Sequence, residues 1–543
     1  MLRKFLAGSM SLMLVVSLLA GCGQGGSSAS SAASSAPASS AAPASSAAAS
    51  SEAPVDENAP LFAETFEFSI MCPIYEPHSK ATEKMEIFNE MAARTNTKID
   101  YQWFPTDGYK DRVTTTLASG NIPEVIESRD SLEMLIEQGA AIPLDDLLEK
   151  HGPNILAAID GVDSMLRNPS DGALYGLPFV LDYPPAYSML VRKDWLDAVG
   201  IEKIPETWDE WVAAWTAFKE GDPNGDGDPT NDIPYGGDIY GLMPAFGLMT
   251  NTGKQGFVIN ADGEYTLAYE MPEYREYLEA MRDLYAKGLL DQEFTTRGTY
   301  VDQLKLQDAM FAGIVGSTMT WAEIAKRTTE AVREVKEDAL MVGTLPIVGP
   351  NGKSGVPARS KASNQAVLTI TAEQNGKAEG IIQYYNWVFS EEGTILSSFG
   401  IEGVHYTLVD GKPVINAPYN ESFVNAREAG LNFTPLPHIF DSAAYEQILL
   451  SGMDYDSCPD TTKIFYDALH SVDGHTYNAP IVLTTTAYQE NQATIMPKIE
   501  TLVSECVAGK TTIDQFYEEY EKLKPIGLQA ILDEGKEAWA KMN

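Results

Sequence analysis

Positive charge is scarce in this sequence: 38 Lys and Arg stand against 77 Asp and Glu, a formal net charge of −39. A nucleic-acid binder neutralises phosphates with clustered Lys and Arg, and a protein held on anionic lipid needs a basic face. The composition argues against both. Cysteine is scarcer still. Cys22, Cys72, Cys458 and Cys506 include no C-x-x-C pair. Once Cys22 is set aside as a processing site (below), three remain, an odd number that excludes a complete disulfide framework; a single bridge between two of them stays open, and buried or inert thiols are the default. The motifs H-E-x-x-H, G-x-x-x-x-G-K-[ST] and G-x-S-x-G are missing as well, which removes the readiest signs of a hydrolase or nucleotide enzyme. A glycosidase needs only two carboxylates, and among 77 acidic residues some pair always looks suitable, so acidic content is no sign of one.

What is present begins with an address. Arg3 and Lys4 precede a short apolar run through Leu12, Met13, Leu14, Val15 and Val16. The run falls short of the roughly 20 residues that a membrane-spanning helix needs. It ends at Leu19-Ala20-Gly21-Cys22, which resembles a bacterial lipobox and implies a signal peptide over 1–21, cleavage, and thioether lipidation of Cys22. Ser27 to Ser51 contain only Ser, Ala and Pro. Such a tract cannot offset its ordering entropy and spans ~30 Å rms, so 22–62 is expected to act as a disordered tether. Loss of Arg3 and Lys4 leaves 36 basic residues against 77 acidic ones, −41 in the mature chain. The expected location is the extracellular face of the cell membrane, held by lipid alone.

The body that follows has ample core material, with 44% hydrophobic and 10% aromatic residues. Phe66–Met71 alternates like a strand, and Lys98–Trp103 and Ser119–Ile126 read as a second strand and a turn plus third strand. Helical stretches carrying Met85, Ile87, Phe88 and Met91, and running from Tyr109 to Ala118, separate them. This alternation predicts an α/β lobe with a largely parallel sheet, whose ligands meet the loops beyond the strand carboxyl ends. Further helices are predicted over 273–290, 379–390 and, as a pair, 512–541.

Seven ordered segments together resemble extracellular solute-binding lipoproteins of carbohydrate ABC importers, family 1 type, in their large Gram-positive branch. They run from Leu117 to Val125, Ile142 to Leu148, Asp171 to Pro178, Val191 to Asp197, Pro205 to Trp211, Leu284 to Asp291 and Phe399 to Tyr406. The resemblance implies an α/β, two-lobed periplasmic-binding-protein-like fold (class II), with discontinuous lobes joined by hinge strands. The expected division is 63–182 plus 362–410 for the first lobe and 183–361 plus 411–543 for the second. The crossings are expected near 180–191, 361–369 and 404–416. The implied function is capture of an extracellular carbohydrate, an oligosaccharide, between the lobes and its delivery to ABC permease subunits by a monomeric, non-enzymatic receptor. An oligopeptide receptor is the alternative, and a secreted glycoside-active enzyme ranks below it.

Two sets of side chains are candidate sites. Asp222-Pro-Asn224-Gly-Asp226-Gly227-Asp228 matches the start of a calcium loop, with oxygen side chains at alternating positions and glycine sixth. An EF-hand has a bidentate Glu at its twelfth position, but here Ile233 stands there; the family resemblance implies that Asn231 and Asp232 supply the last ligands. The same residues also suit a solvated turn, but so many carboxylates repel one another without a cation. The expected role of calcium is structural. For the sugar, aromatic faces and hydroxyl-binding groups in predicted loops are the candidates: Tyr75, Glu76, Trp103, Arg129, Asp130, Tyr183, Tyr187, Trp321 and Tyr406. Each aromatic is also a candidate for packing, the expected role of Trp195, Trp208, Trp211 and Trp387.

Overall fold

The structure is a computed structural model. It describes residues 59–542 apart from 75–84, 107, 129–130, 169, 182–186, 251–255, 298–302, 359–360, 422, 433–435 and 481. Two sheets organise it. In the first, Phe66–Ile74 lies between two parallel neighbours, Thr97–Pro105 and Val125–Glu127. Its Ile70, Met71 and Cys72 are fully buried, as a central strand covered on both faces requires. Ala362–Leu368 enters antiparallel between Val125–Glu127 and Gly176–Leu181, and Ile439–Phe440 completes the far edge. The helix Ala378–Val388 covers one face with Ile381, Ile382, Tyr384 and Tyr385.

One buried carboxylate ties this lobe together. Glu124 accepts from Lys377 Nζ at 2.8 Å, Asn375 Nδ2 at 3.0 Å and Ser69 N–H at 2.9 Å, and also from the Ser69 hydroxyl. Burial alone would raise its pKa, but the hydrogen bonds from Lys377, Ser69 and Asn375 outweigh it and hold the group at about 2. The folded value lies below the unfolded one, so the stabilisation is present above the unfolded pKa and is lost as pH falls through the folded one. Urea denaturation should therefore show about 3 kcal/mol of stability lost between pH 5 and pH 2 on account of this group. Glu124→Gln should flatten that part of the profile. An unchanged acid slope in the variant would contradict the latch.

The second sheet has the order Met341–Thr344, Tyr187–Arg192, Val315–Trp321, Ile233–Tyr235. Its cover includes the helix Trp208–Gly221, whose buried Trp208, Trp211, Ala214, Trp215 and Phe218 recur at helical spacing. A capping box starts this helix: Thr207 Oγ1 accepts from Glu210 N–H, and Glu210 Oε2 accepts from Thr207 N–H at 2.9 Å. Packing is so close that a Cβ at Gly316 would come within 2.8 Å of Trp195 and Phe218. Trp195 and Trp211 are core residues here.

The expected helices appear as Glu273–Ala286, Ala378–Val388, Ile513–Glu521 and Leu528–Met542. One expectation needs correction. The sequence division gave 411–543 to the second lobe, yet Ile439–Phe440 pairs with Gly176–Leu181 in the first sheet. Ile415, Ala426, Leu431, Ala444 and Ile448 also pack with Met85, Ile87 and Phe88. Leu449 already packs with Leu190, Val315 and Met341, and the helix Asp460–His470 joins that cluster with Ile464, Phe465 and Ala468. The last passage between lobes therefore falls between Leu449 and Asp460, after the expected 404–416, because the hairpin 406–415 buries its apolar face on the first lobe.

Candidate functional site

Tyr187 opens its strand just after the first passage between the sheets, and Trp321 ends the neighbouring antiparallel strand. The register sets the two side by side. Their rings lie 4.5 Å apart with planes 32° to each other, and both are half-buried. An apolar yet accessible aromatic surface of this kind suits the CH face of a sugar ring.

The acidic loop begins where the helix Trp208–Gly221 stops. Asp222 takes the left-handed conformation, φ 46°, and Gly227 has φ 88°, which its missing Cβ permits. The loop curls so that Asp222 Oδ2 accepts from Gly227 N–H at 3.1 Å, Asn224 Oδ1 from Asp226 N–H at 2.8 Å, and Asp226 Oδ1 from Asp228 N–H at 2.8 Å. The amide nitrogens of Asn224 and Asn231 both donate to Asp226 Oδ2, at 3.2 and 2.8 Å. Asp232 is buried, and neither of its carboxylate oxygens has a hydrogen-bond partner; nor does Asp222 Oδ1. Burial, and then the charges of Asp222 and Asp226, push Asp232 up to about 7. Orphaned buried carboxylate oxygens beside further carboxylates fit a hard, oxygen-liganded cation. Among the described residues no three His, Cys, Asp or Glu side chains converge as they would around a metal. In this arrangement the Asn224 and Asn231 amides supply the positive ends that Asp226 faces. Turning those amides over presents oxygens instead.

Of the other predicted residues, Tyr75, Glu76, Arg129, Asp130, Tyr183 and Cys22 lie outside the described residues. Trp103 and Tyr406 are placed in packing of the first lobe. Trp103 stacks with Tyr101 at 5.4 Å and Phe88 at 6.3 Å, covering the outermost strand. Tyr406 is buried against Phe399 at 6.2 Å.

The structure adds a cavity of about 330 Å³ that no motif announced. Glu133, Glu137, Asp171 and Tyr175 of the first lobe line one side, and Leu483 and Gln489 of the second line the other. Residues so distant in the chain leave no local signal of their meeting.

The sequence model of the bacterial extracellular solute-binding protein family matches residues 78–395. The chain is 26% identical over 384 residues to lipoprotein LipO of Bacillus subtilis (strain 168), covering 67% of this chain and 72% of LipO. It is 27% identical over 228 residues to the fructooligosaccharide ABC transporter substrate-binding protein FusA of Streptococcus pneumoniae serotype 4 (strain ATCC BAA-334 / TIGR4), covering 38% of this chain and 41% of FusA. Among solved structures, the alginate-binding protein AlgQ2 without calcium ion superposes with a TM-score of 0.67 at 20% identity, over 89% of this chain and 99% of AlgQ2. That likeness establishes the two-lobed α/β fold.

Proposed function

Starting from a chain that belongs to the bacterial extracellular solute-binding protein family, we propose that it captures an extracellular oligosaccharide between its lobes and hands it to ABC permease subunits. The observation that carries this reading is the half-buried Tyr187–Trp321 pair, set where the chain passes between the sheets. The names of FusA and AlgQ2, which refer to a fructooligosaccharide and to alginate, support a saccharide over a peptide. Closure of the lobes over the ligand excludes water, strengthens each hydrogen bond to a hydroxyl, and gives the permease a distinct shape to read. The chain acts as a receptor without turnover, as a monomer.

The membrane attachment follows the sequence: the Cys22 thiol carries the lipid, and the Ser/Ala/Pro tract holds the body near its permease at high effective concentration. Among the described residues no helix is long and apolar enough to cross a membrane. Calcium in the loop is held by Asp222, Asn224, Asp226, Asn231 and Asp232, with the Asp228 backbone carbonyl. It neutralises the buried Asp232 and pins the start of Ile233–Tyr235, the strand beside Val315–Trp321.

Isothermal titration of purified protein with oligosaccharides tests the main reading: saturable 1:1 binding without product formation is expected, and turnover would favour an enzyme. For the loop, millimolar calcium added to chelator-treated protein should raise Tm by about 5 °C. Asp232→Asn should abolish that rise while leaving calcium-free protein at least as stable, since it removes a buried carboxylate without a partner. An unchanged Tm in the native protein would remove calcium from the account.

A further inference from the structure

The cavity between the lobes has a one-sided chemistry. Glu133 and Glu137 stand four residues apart on the helix Leu132–Glu137 and so share a face. Asp171 adds a third carboxylate to the lining. Among the described residues lining the cavity, Arg167 is the sole cation, and its charge is already answered. Its Nη1 donates to Asp145 at 2.8 Å and to the Gly172 carbonyl at 2.9 Å, and its Nε donates to Asp163 at 3.2 Å. Asp171 accepts from Tyr175 Oη–H at 2.8 Å and from Ala173 N–H at 3.0 Å. The wall is therefore rich in acceptors and in uncompensated negative charge.

Such a wall suits a ligand that donates many hydrogen bonds and brings no negative charge. Sugar hydroxyls do so, because each donates to a carboxylate without a change of protonation. A uronic acid does not, because its carboxylate would lie beside Glu133 and Glu137 with no unpaired cation among the described lining residues to meet it. Resting on the carbohydrate reading above, we propose that this cavity is a saccharide subsite for uncharged sugar units, and that the chain discriminates against polyuronates. In this respect its ligand is expected to differ in class from the alginate named for AlgQ2, whose fold it shares.

Matched titrations test this. The full mature chain, with calcium present, is titrated with a neutral oligosaccharide series (fructo- and galacto-oligosaccharides) and with oligogalacturonates of the same lengths. The expected result is saturable binding of a neutral member and at least tenfold weaker binding of every uronate. In the Glu133→Gln, Glu137→Gln double variant that gap should narrow at least fivefold, and in the native protein it should narrow as salt is raised. A uronate that binds as tightly as its neutral counterpart would overturn the proposal and leave the carbohydrate reading standing. A gap that persists unchanged in the double variant would overturn the assignment to this cavity. Binding of oligopeptides with no response to either sugar series would overturn both.

Discussion

Replacement of Trp321 by alanine is expected to weaken oligosaccharide binding about 30-fold or more while leaving the fold intact. The indole is half-buried at the end of Val315–Trp321 and packs against the cluster that includes Leu190, Val315 and Met341, so its removal costs some packing but leaves the fully buried core side chains in place. What is lost is the ring face and the partner that holds Tyr187 at 4.5 Å. An aromatic anchor at the centre of a binding surface is worth about 2–4 kcal/mol, and each 1.4 kcal/mol is about tenfold in Kd. Trp321→Phe should retain most of the affinity, because it keeps an apolar face, and Tyr187→Ala should weaken binding less than Trp321→Ala. Titration calorimetry with far-UV circular dichroism as the folding control makes the check. Native affinity in Trp321→Ala would place the ligand elsewhere.

The second large effect lies in the same sheet. Arg192 ends the strand that begins at Tyr187, and its guanidinium grips Asp194 with two parallel hydrogen bonds, Nε to Oδ1 at 2.8 Å and Nη2 to Oδ2 at 2.7 Å. Both side chains are almost wholly buried. Asp194 also accepts from Leu340 N–H at 3.2 Å and meets Lys336 Nζ at 3.2 Å, while Arg192 Nη1 donates to the Gly313 carbonyl at 3.2 Å. Burial works against the Asp194 carboxylate, but these partners, Arg192 foremost, hold its pKa below the usual range. Asp194→Ala strands a buried guanidinium and frees the Leu340 amide, so it should cost about 3–5 kcal/mol. The paired change Arg192→Met with Asp194→Leu should recover most of that loss, since an apolar pair leaves no uncompensated charge. Urea denaturation of the native protein and the two variants separates the outcomes. A double variant no better than the single one would show that the charges, rather than the packing volume, carry the joint.

The legible part of the molecule was the part written locally. The acidic loop was readable because its donors alternate within a few residues and its glycines permit the curl that the structure has. Asn231 and Asp232 were harder to assign from sequence, because Ile233 holds the twelfth position where an EF-hand has its Glu. The strands Phe66–Ile74 and Thr97–Pro105 were readable from alternation between helical stretches. Which sheet a short distal strand joins was not. Ile439–Phe440 is two residues long, and nothing in it tells that it will pair with Gly176–Leu181. Single aromatics divided for a similar reason. Trp103 is drawn into packing because the outermost strand needs cover from Phe88 on the neighbouring helix. Trp321 is half-buried as well, but it stands at the end of its strand, and its partner Tyr187 comes from the other side of a long excursion of the chain. The Glu133–Asp171–Gln489 cavity exists only once both lobes are folded and face each other.

The central claim is that a saccharide is held between the lobes and draws them together. Small-angle X-ray scattering of the calcium-loaded chain, with and without a saturating oligosaccharide already shown to bind, measures this directly. The account predicts a smaller radius of gyration in the bound state, with the change abolished in Trp321→Ala at the same sugar concentration. A radius that stays constant at full occupancy of the native protein would contradict it.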